Sequence, residues 1–447
     1  MDNQVKQGGN VAAIVTMFAL FFMIAFVTNF AGSMGVIVKN QFGASNTASQ
    51  LGSAANFFAY LFMGIPGGLI LKRKGYKFTS LLAVGVGIAG LAVQLASGYI
   101  ESFGVYVTGA FIAGFSMCLL NLVVNPLLNT LGGEGKKGNQ LVQFGCSLNS
   151  IGATIAPILL GYLIGGEVAK ATVAKAAPAL WIAIGIFIVA FVIVFLSKIP
   201  EPHMEKPEEK AARLAGGGSV MGDIIATLKF RHFTLGALAI FFYITIESGI
   251  PNMANLYMTE QIPVIGGIAK NGPGYVGAAV AGTVVGFYWF CMMIGRLLGG
   301  AFGSKISSKV MITCCALGGI VLLLLAIYLP VNFVELPFKT KIADVAGVVV
   351  EKKIQIPVSM VAMFLCGLCT SVMWGGIFNL AAEGLGKYVP MGSGIFMAMV
   401  FGGLMLPVQG VIADKIGILN SYWLLIAFLA YVFVYANFLS KPTKRAE

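Results

Sequence analysis

The stretch that decides the fold is residues 376–417, GIFNLAAEGLGKYVPMGSGIFMAMVFGGLMLPVQGVIADKIG. It contains two apolar segments, each long enough to cross a lipid bilayer, joined by a short polar turn. The first segment ends in Asn379 and Glu383, and the second runs from Gly392 through Pro407 to Asp414. Glycine and proline do not argue against membrane helices, which tolerate both. The stretch therefore predicts a pair of membrane-spanning helices.

The composition of the whole chain is that of a membrane protein. Of the 447 residues, 58% are hydrophobic and 10% are charged, whereas a soluble domain has roughly 25% charged residues. The mean hydropathy is +0.89. The first apolar run, 11–38, is too long for the apolar core of a signal peptide and lacks a small-residue cleavage site, so we interpret it as a mature span. These features predict an all-α protein in the lipid bilayer.

Apolar runs of about 20 residues, the length that crosses a bilayer, occur twelve times. The long polar stretch after the sixth run predicts three units: an N-terminal bundle of residues 1–197, a cytoplasmic linker of residues 198–232 and a C-terminal bundle of residues 233–447. The stretch 331–355 is also long, and its pattern suggests a short external hairpin. The predicted spans are 11–37, 46–70, 78–99, 104–129, 139–165, 178–197, 233–258, 277–302, 309–330, 356–380, 390–412 and 420–440.

Positive charge is distributed unevenly between the two sides of the membrane. With both termini in the cytoplasm, about two thirds of the 29 lysine and arginine residues lie in cytoplasmic segments, as the positive-inside rule requires. Arg296 is counted among them, with the segment that joins the eighth and ninth spans. The net charge of +12 is therefore an orientation signal, and we predict no nucleic-acid partner.

The sequence offers little support for enzymatic chemistry. All seven cysteines lie inside apolar runs, and the Cys366-x-x-Cys369 pair has neither a second pair nor a nearby histidine to complete a metal site. No P-loop, zinc-protease or nucleophile-elbow motif occurs. We predict no catalytic residues, no metal and no cofactor.

Small residues and prolines recur at equivalent spans, the second, fifth, eighth and eleventh. This pattern is expected of two six-helix halves, each built from inverted three-helix repeats, with a substrate site near the midplane between the halves. Glycine pairs also allow helices to approach closely. The alternative is that glycine, with 58 copies, is simply common in this chain. The positions are Gly64 and Gly68, Pro157, Gly295 and Gly299, and Pro407.

Three stretches of the chain carry a resemblance to a known family. They are the first helix FALFFMIAFVTNF with Asn29, residues 118–157 with Asn125-Pro126 and Asn149-Ser150-x-Gly152-Ala153, and the opening stretch 376–417. Together they resemble the fucose:proton symporter and glucose-galactose transporter group of the major facilitator superfamily, over most of the chain. The resemblance implies twelve transmembrane helices in two six-helix bundles, a monosaccharide substrate, a bacterial inner-membrane location and a monomer.

Three positions depart from the pattern of the group. The resemblance implies an aspartate shortly after Asn29, where this chain has Gly32, and a glutamate before the Asn-Pro pair, where it has Asn121. A glutamine on the fifth helix is replaced by Cys146. Because neither Gly32 nor Asn121 can carry a proton, the coupling mechanism of the group is in question for this chain.

Side-chain amides within the spans are candidate sugar contacts, because an amide both donates and accepts hydrogen bonds to hydroxyl groups. An aromatic face can stack on the apolar face of a hexose, and Trp374, flanked by glycines, is the best placed. An asparagine that bonds a neighbouring helix would instead be structural, and both roles stay open for each residue. The candidates are Asn29, Asn56, Asn121, Asn125, Gln143, Asn149, Asn252, Asn255, Trp374 and Asn379.

Glu247 is the acidic residue that lies deep inside an apolar run, in FFYITIESGIPNM. An ionisable group in a span is a functional candidate by default, so Glu247 is predicted to bind the substrate or to carry the coupling ion. A structural carboxylate bonded to a neighbouring helix is the alternative. We expect Arg296, Glu383 and Asp414 to have gating or structural roles near span ends.

The sequence therefore predicts a transporter that imports a neutral hexose, such as glucose, galactose, mannose, fructose or fucose, by alternating access. Symport with a proton or a sodium ion ranks first, and facilitated diffusion is the alternative. An exporter of drugs or lipids would need a more apolar cavity. A membrane sensor or a membrane-embedded enzyme finds less support, because the chain shows neither a signalling domain nor a catalytic constellation.

Overall fold

The computed structural model of this chain describes residues 7–42, 51–133, 135–163, 173, 176–208, 219–258, 278–329, 332–343 and 349–442. Within these residues, nine helices are long and apolar enough to cross a membrane. One of them, Leu51–Ile100, contains two predicted spans. Long helices are the outcome expected of apolar runs in lipid, because a helix satisfies its backbone hydrogen bonds within one segment.

In the part of the chain that the structure describes, helices fall within all twelve predicted spans, and the fold prediction is confirmed. Spans 10, 11 and 12 are each built from consecutive helical segments. The segments are Gln7–Phe42 (span 1), Leu51–Ile100 (spans 2 and 3), Phe103–Leu131 (span 4), Gly135–Leu163 (span 5), Ala177–Leu196 (span 6), Arg231–Leu256 (span 7), Ala278–Phe302 (span 8), Ser308–Tyr328 (span 9), Val358–Thr370 with Met373–Ala382 (span 10), Val389–Ala398 with Met399–Met405 and Leu406–Ile416 (span 11), and Tyr422–Val434 with Tyr435–Leu439 (span 12).

Spans 2 and 3 are two helices that meet at a kink at Gly75, whose backbone is not helical, inside the stretch that the sequence predicted as a loop. Gly75 has φ +82°, a conformation that glycine adopts without the steric cost of a side chain. Beyond the bend, the backbone N–H groups of Tyr76 and Lys77 donate to the carboxylate of Glu201, at 2.9 Å for Lys77. Glu201 thus acts as the N-terminal cap of span 3, although it follows span 6 in the chain.

The segment between spans 6 and 7 folds back onto this bend. His203 Nδ1 lies 2.7 Å from the hydroxyl of Tyr76, and the backbone N–H of Glu205 donates to the carbonyl of Lys72 at 2.8 Å. Lys72 also pairs with Asp223 at 2.7 Å, on a short helix, Val220–Leu228. We call the end of the molecule that carries these contacts the linker face.

The first six and last six spans meet tightly near the linker face. A Cβ atom added to Gly64 of span 2 would lie 2.6 Å from the carbonyl oxygen of Gly394 in span 11. Span 8 approaches span 5 in the same way. A Cβ atom on Gly300 of span 8 would lie 2.6 Å from the Phe144 ring of span 5, and one on Gly303 would lie 3.2 Å from the Cα of Gln140. Glycine therefore permits both crossings, as the sequence predicted for helix approach at these spans.

The predicted hairpin between spans 9 and 10 is present. Its strands, β1 (Phe333–Ala343) and β2 (Val349–Pro357), pair antiparallel, with Phe333 opposite Pro357 and Ala343 opposite Val349. The register is irregular between Glu335 and Lys339. Strand β2 leads directly into span 10, so the hairpin lies at the end of the molecule opposite the linker face.

Candidate functional site

The centre of the site is a buried ion pair between spans 7 and 8. Arg296 Nη2 donates to Glu247 Oε1 at 2.9 Å, and the side chains are 8% and 15% exposed. Removing two charges from water carries a large desolvation cost, which only close geometry and further hydrogen bonds offset. The pair therefore holds both charges inside the protein only as long as both partners are present.

Arg296 also reaches into the other half of the molecule. Its Nη1 donates to Ser150 Oγ at 2.7 Å and to the carbonyl of Cys146 at 3.4 Å, both on span 5. The planar guanidinium thus holds a carboxylate with one terminal nitrogen and the neighbouring half with the other. A guanidinium suits this arrangement because its donors point in fixed directions.

Two tyrosines also contact Glu247. The hydroxyl of Tyr243, one helical turn earlier on span 7, donates to Glu247 Oε1 at 2.8 Å. The hydroxyl of Tyr288 on span 8 donates to the Glu247 backbone carbonyl at 3.1 Å and lies 2.9 Å from Thr370 Oγ1 on span 10. Glu247 Oε1 therefore accepts two hydrogen bonds, from Tyr243 and Arg296.

A chain of polar side chains crosses from the first half to the second beside this pair. Asn121 Nδ2 donates to the Tyr60 hydroxyl at 3.0 Å, and Asn125 Nδ2 donates to Asn121 Oδ1 at 3.3 Å. Asn125 Oδ1 in turn accepts from Trp374 Nε1 on span 10 at 3.0 Å. The chain joins spans 2, 4 and 10, and it brings together three of the predicted sugar contacts: Asn121, Asn125 and Trp374.

Aromatic rings connect this chain to the ion pair. The ring of Trp374 lies 6.3 Å from that of Tyr243 and 5.9 Å from that of Phe396, between centroids. Trp374 is half-buried, so its ring is partly accessible. We use the name central cluster for Tyr60, Asn121, Asn125, Ser150, Tyr243, Glu247, Arg296 and Trp374.

Three further candidate amides bond other helices. Gln143 Nε2 donates to the Val372 carbonyl at 2.9 Å, which joins span 5 to span 10. Asn149 Nδ2 donates to the Phe21 carbonyl at 3.2 Å, and Asn379 Nδ2 donates to Ser308 Oγ at 3.0 Å. These bonds favour a structural role, which the sequence left open.

The remaining candidate amides are not brought into the central cluster by any described contact. Asn56 is buried, and its Oδ1 has no partner in the described part of the chain. Asn252 is exposed and Asn255 is half-buried, both late in span 7. Asn29 lies in the helix of span 1, but its side chain is outside the described residues.

The candidate gating residues occupy different places. Glu383 ends span 10; its side chain is exposed, and its carbonyl accepts from His232 Nε2 at 2.8 Å. Asp414 is exposed near the end of span 11. Arg296 differs from its predicted location beside a loop, because it lies within the helix of span 8 and is buried. The reason is its pairing with Glu247, which compensates for its burial.

Sequence reasoning missed three members of the central cluster as site residues or partners, Tyr60, Ser150 and Tyr243, and it did not place Arg296 in a buried position. One signal was available for Tyr243, because residues four apart on a helix share a face. The pairing of Glu247 with Arg296 joins different spans and has no local signal. Within the described residues, no three His, Cys, Asp or Glu side chains lie close enough to hold a metal ion.

Comparison with known proteins agrees with this fold. A family profile described as Major Facilitator Superfamily matches residues 16–338. The chain belongs to the major facilitator superfamily. This superfamily member is 26% identical over 431 residues to a glucose/galactose transporter of Brucella abortus, covering 96% of this chain and 94% of the relative. It is 23% identical over 462 residues to an L-fucose-proton symporter of Escherichia coli, with 98% and 96% covered.

Solved structures show the same architecture. The E. coli fucose:proton symporter superposes with a TM-score of 0.74 at 20% identity, covering 97% of this chain and all of that one. The same transporter in an outward conformation gives a TM-score of 0.75, again at 20% identity. Together with the Brucella and Escherichia relatives, these matches confirm the resemblance to this group that was inferred from sequence. The chain is a membrane transporter and not an enzyme.

Proposed function

We propose that this protein imports a neutral hexose across the bacterial inner membrane by alternating access, with a proton as the coupling ion. The linker face is then the cytoplasmic side, as the positive-inside distribution of lysine and arginine predicts. The two six-helix halves rock about the central cluster, which lies between them. The relatives named for glucose, galactose and fucose transport support a monosaccharide as the substrate.

The observation that carries the proposal is that the hydrogen-bonded asparagines of span 4 and the Glu247–Arg296 ion pair lie next to each other. Asn121 and Asn125 offer donors and acceptors that suit sugar hydroxyls, and Trp374 offers an aromatic face beside them. Tyr243 links this group to Glu247 through its hydroxyl. A sugar bound against Trp374 would therefore lie next to the carboxylate that carries the ion.

The surroundings of Glu247 favour a proton over sodium. A sodium ion at Glu247 would face the positive guanidinium of Arg296 at hydrogen-bond distance from the same oxygen, Oε1. A proton needs no such shell, since it neutralises the carboxylate directly. Hard cations also prefer several oxygen ligands, and the two groups that bond Glu247 Oε1 are both donors.

The decisive experiment is uptake of labelled hexoses into proteoliposomes that contain the purified protein. An inward proton gradient should drive accumulation of one hexose, and an inward sodium gradient without a proton gradient should not. Glu247→Gln should abolish accumulation, yet retain exchange of internal for external sugar. If no hexose enters and none competes for binding, the substrate class is wrong.

Facilitated diffusion is the second candidate. It is favoured by Gly32 and Asn121, which stand where the symporter resemblance implies acidic residues. In that case the hexose equilibrates across the vesicle membrane under every gradient. The rate of equilibration is independent of pH both in the wild type and in Glu247→Gln.

A further inference from the structure

Arg296 is the one central-cluster residue for which the structure gives contacts on both halves through a single charged group. One arm reaches Glu247 within the second half at 2.9 Å, and the other reaches Ser150 in the first half at 2.7 Å. The ion pair moves with the second half, whereas Ser150 moves with the first. Any rocking motion that separates spans 5 and 8 must therefore break the Ser150 arm.

The charge of Glu247 decides how stable that arm is. With Glu247 ionised, the buried guanidinium has a counter-charge, and its other terminal nitrogen can donate to neutral acceptors. With Glu247 protonated, the positive charge of Arg296 is left with neutral oxygens of Ser150 and Cys146, which do not compensate a buried charge. The arrangement in which Arg296 leaves span 5 for a more hydrated position then becomes more favourable.

We infer that Arg296 is a positioning residue that makes the closed contact between spans 5 and 8 conditional on an ionised Glu247. The inference rests on the proposed coupling role of Glu247. It adds the contact through which the charge of Glu247 affects the packing of the two halves. Ser150 is the residue of the first half that accepts the hydrogen bond from Arg296. Protonation of Glu247 favours opening of the contact at the linker face.

The titratable and charged groups around Glu247 come from four spans. Span 7 supplies Tyr243, span 8 supplies Arg296 and Tyr288, span 5 supplies Cys146, and span 10 supplies Cys366 near Tyr288. Tyrosine, cysteine and arginine ordinarily titrate well above neutrality. A conformational response to a lowered pH therefore belongs to Glu247 among these groups.

The test measures the distance between spans 5 and 8 at their linker-face ends. Lys137 and Lys305 are exposed there, and Lys136 Nζ donates to the Lys305 carbonyl at 3.0 Å, so the two ends are adjacent. Nitroxide labels at Lys137→Cys and Lys305→Cys, in a background with the seven native cysteines replaced by alanine, report the distance by pulsed electron resonance. Cys146 contributes only its backbone carbonyl, which alanine retains.

Lowering the pH should move the wild-type distances from short to long. Ser150→Ala should favour long distances roughly tenfold at high pH, because a hydrogen bond to a charged group is lost, and should at least halve the pH-dependent change. Arg296→Lys should abolish the change, since an ammonium group cannot hold both partners in a fixed fork. Ser147→Ala is the matched control: Ser147 is a buried serine of span 5, and its hydroxyl donates to the Gln143 carbonyl.

The inference is overturned if Ser150→Ala shows the same pH-dependent distances as Ser147→Ala and wild type. It is also overturned if Glu247→Gln retains the wild-type pH response. Failure of the proposed function is a separate result, read from hexose binding. In that case no hexose shifts the thermal unfolding midpoint of the wild-type protein, whichever distances between the labels are measured. Thermal unfolding of each variant confirms that Ser150→Ala remains folded.

Discussion

At the scale of single residues, the Glu247–Arg296 pair has the greatest free-energy consequence. Breaking a buried pair by removing one partner costs about 3–5 kcal/mol, because it leaves an uncompensated charge, whereas replacing both partners is often nearly neutral. The two side chains are 15% and 8% exposed, which places them in this regime. Each charge is therefore needed to balance the other in the folded protein.

A double-mutant cycle tests this asymmetry. Glu247→Gln and Arg296→Met should each lower the thermal unfolding midpoint markedly, and the double variant should recover most of the loss while still failing to accumulate sugar. The measurement is the unfolding midpoint of detergent-solubilised protein, with Ser147→Ala as the control. Additive losses in the double variant would show that the two charges are not a coupled buried pair.

Trp374 carries a second prediction at this scale. Its ring and its Nε1 serve different partners, because the ring lies beside Tyr243 and Phe396 while Nε1 donates to Asn125. Trp374→Ala should weaken hexose binding roughly tenfold through loss of the aromatic face, and Trp374→Phe should lose less.

Trp181 provides the control for this comparison. It is 59% exposed on span 6, and Trp181→Phe should leave the hexose dissociation constant unchanged. Equal losses for Trp374→Phe and Trp374→Ala would show that the hydrogen bond to Asn125, rather than the aromatic face, dominates binding.

The candidate site could be predicted in part. A carboxylate inside an apolar run is visible in the sequence, so Glu247 was identified, as were Asn121, Asn125 and Trp374. Arg296 was assigned to a loop because it stands near the polar end of its run, and its partner is 49 positions away. Amides of one chemical type also separate into different surroundings, since Asn379 bonds Ser308 and Asn125 bonds Trp374.

At the scale of elements, the linker and the bend between spans 2 and 3 depend on each other. Glu201 caps the start of span 3, and His203 beside it contacts the Tyr76 hydroxyl. Burial lowers the pKa of His203 from its ordinary 6.5 to about 4. Because the docked linker holds His203 neutral, its contribution to stability is present above pH 6.5 and is lost as the pH falls towards 4.

This pKa can be measured directly, because the chain has only two histidines. In an NMR titration of the imidazole signals, His203 should titrate near pH 4, and the variant His232→Gln assigns the remaining signal to it. Docking should weaken over the same interval, seen as faster protease cleavage between residues 198 and 231. A midpoint near 6.5 in the folded protein would mean that the linker does not bury His203.

The same elements show which parts of a membrane fold a sequence specifies. Helices occur at all twelve apolar runs because lipid leaves the backbone no alternative partner. The bend at Gly75 was predicted as a loop, since Lys72, Arg73 and Lys74 interrupt the apolar pattern. Span 3 begins directly after this kink because Glu201 caps its first turn, a contact 125 positions away that no local pattern encodes.

At the scale of the whole molecule, the two halves meet at the linker face through two glycine-lined crossings, span 2 with span 11 and span 8 with span 5. If the linker face is cytoplasmic, this is the state that accepts substrate from outside, and transport requires both crossings to separate. Ser150 lies on span 5 and Arg296 on span 8, so the charged group contacts one of the two crossings that close the linker face.

The crossing of spans 2 and 11 should therefore control the resting state. A Cβ atom on Gly64 would lie 2.6 Å from the Gly394 carbonyl oxygen and from the Ala398 backbone nitrogen, and backbone cannot yield as a side chain can. Gly64→Ala should favour separation at the linker face roughly tenfold, seen as longer distances between nitroxide labels at Arg73→Cys and Lys387→Cys. Gly85→Ala, where a Cβ meets nothing within 4 Å, should leave them unchanged; unaltered distances in Gly64→Ala would mean that this crossing does not hold the halves closed.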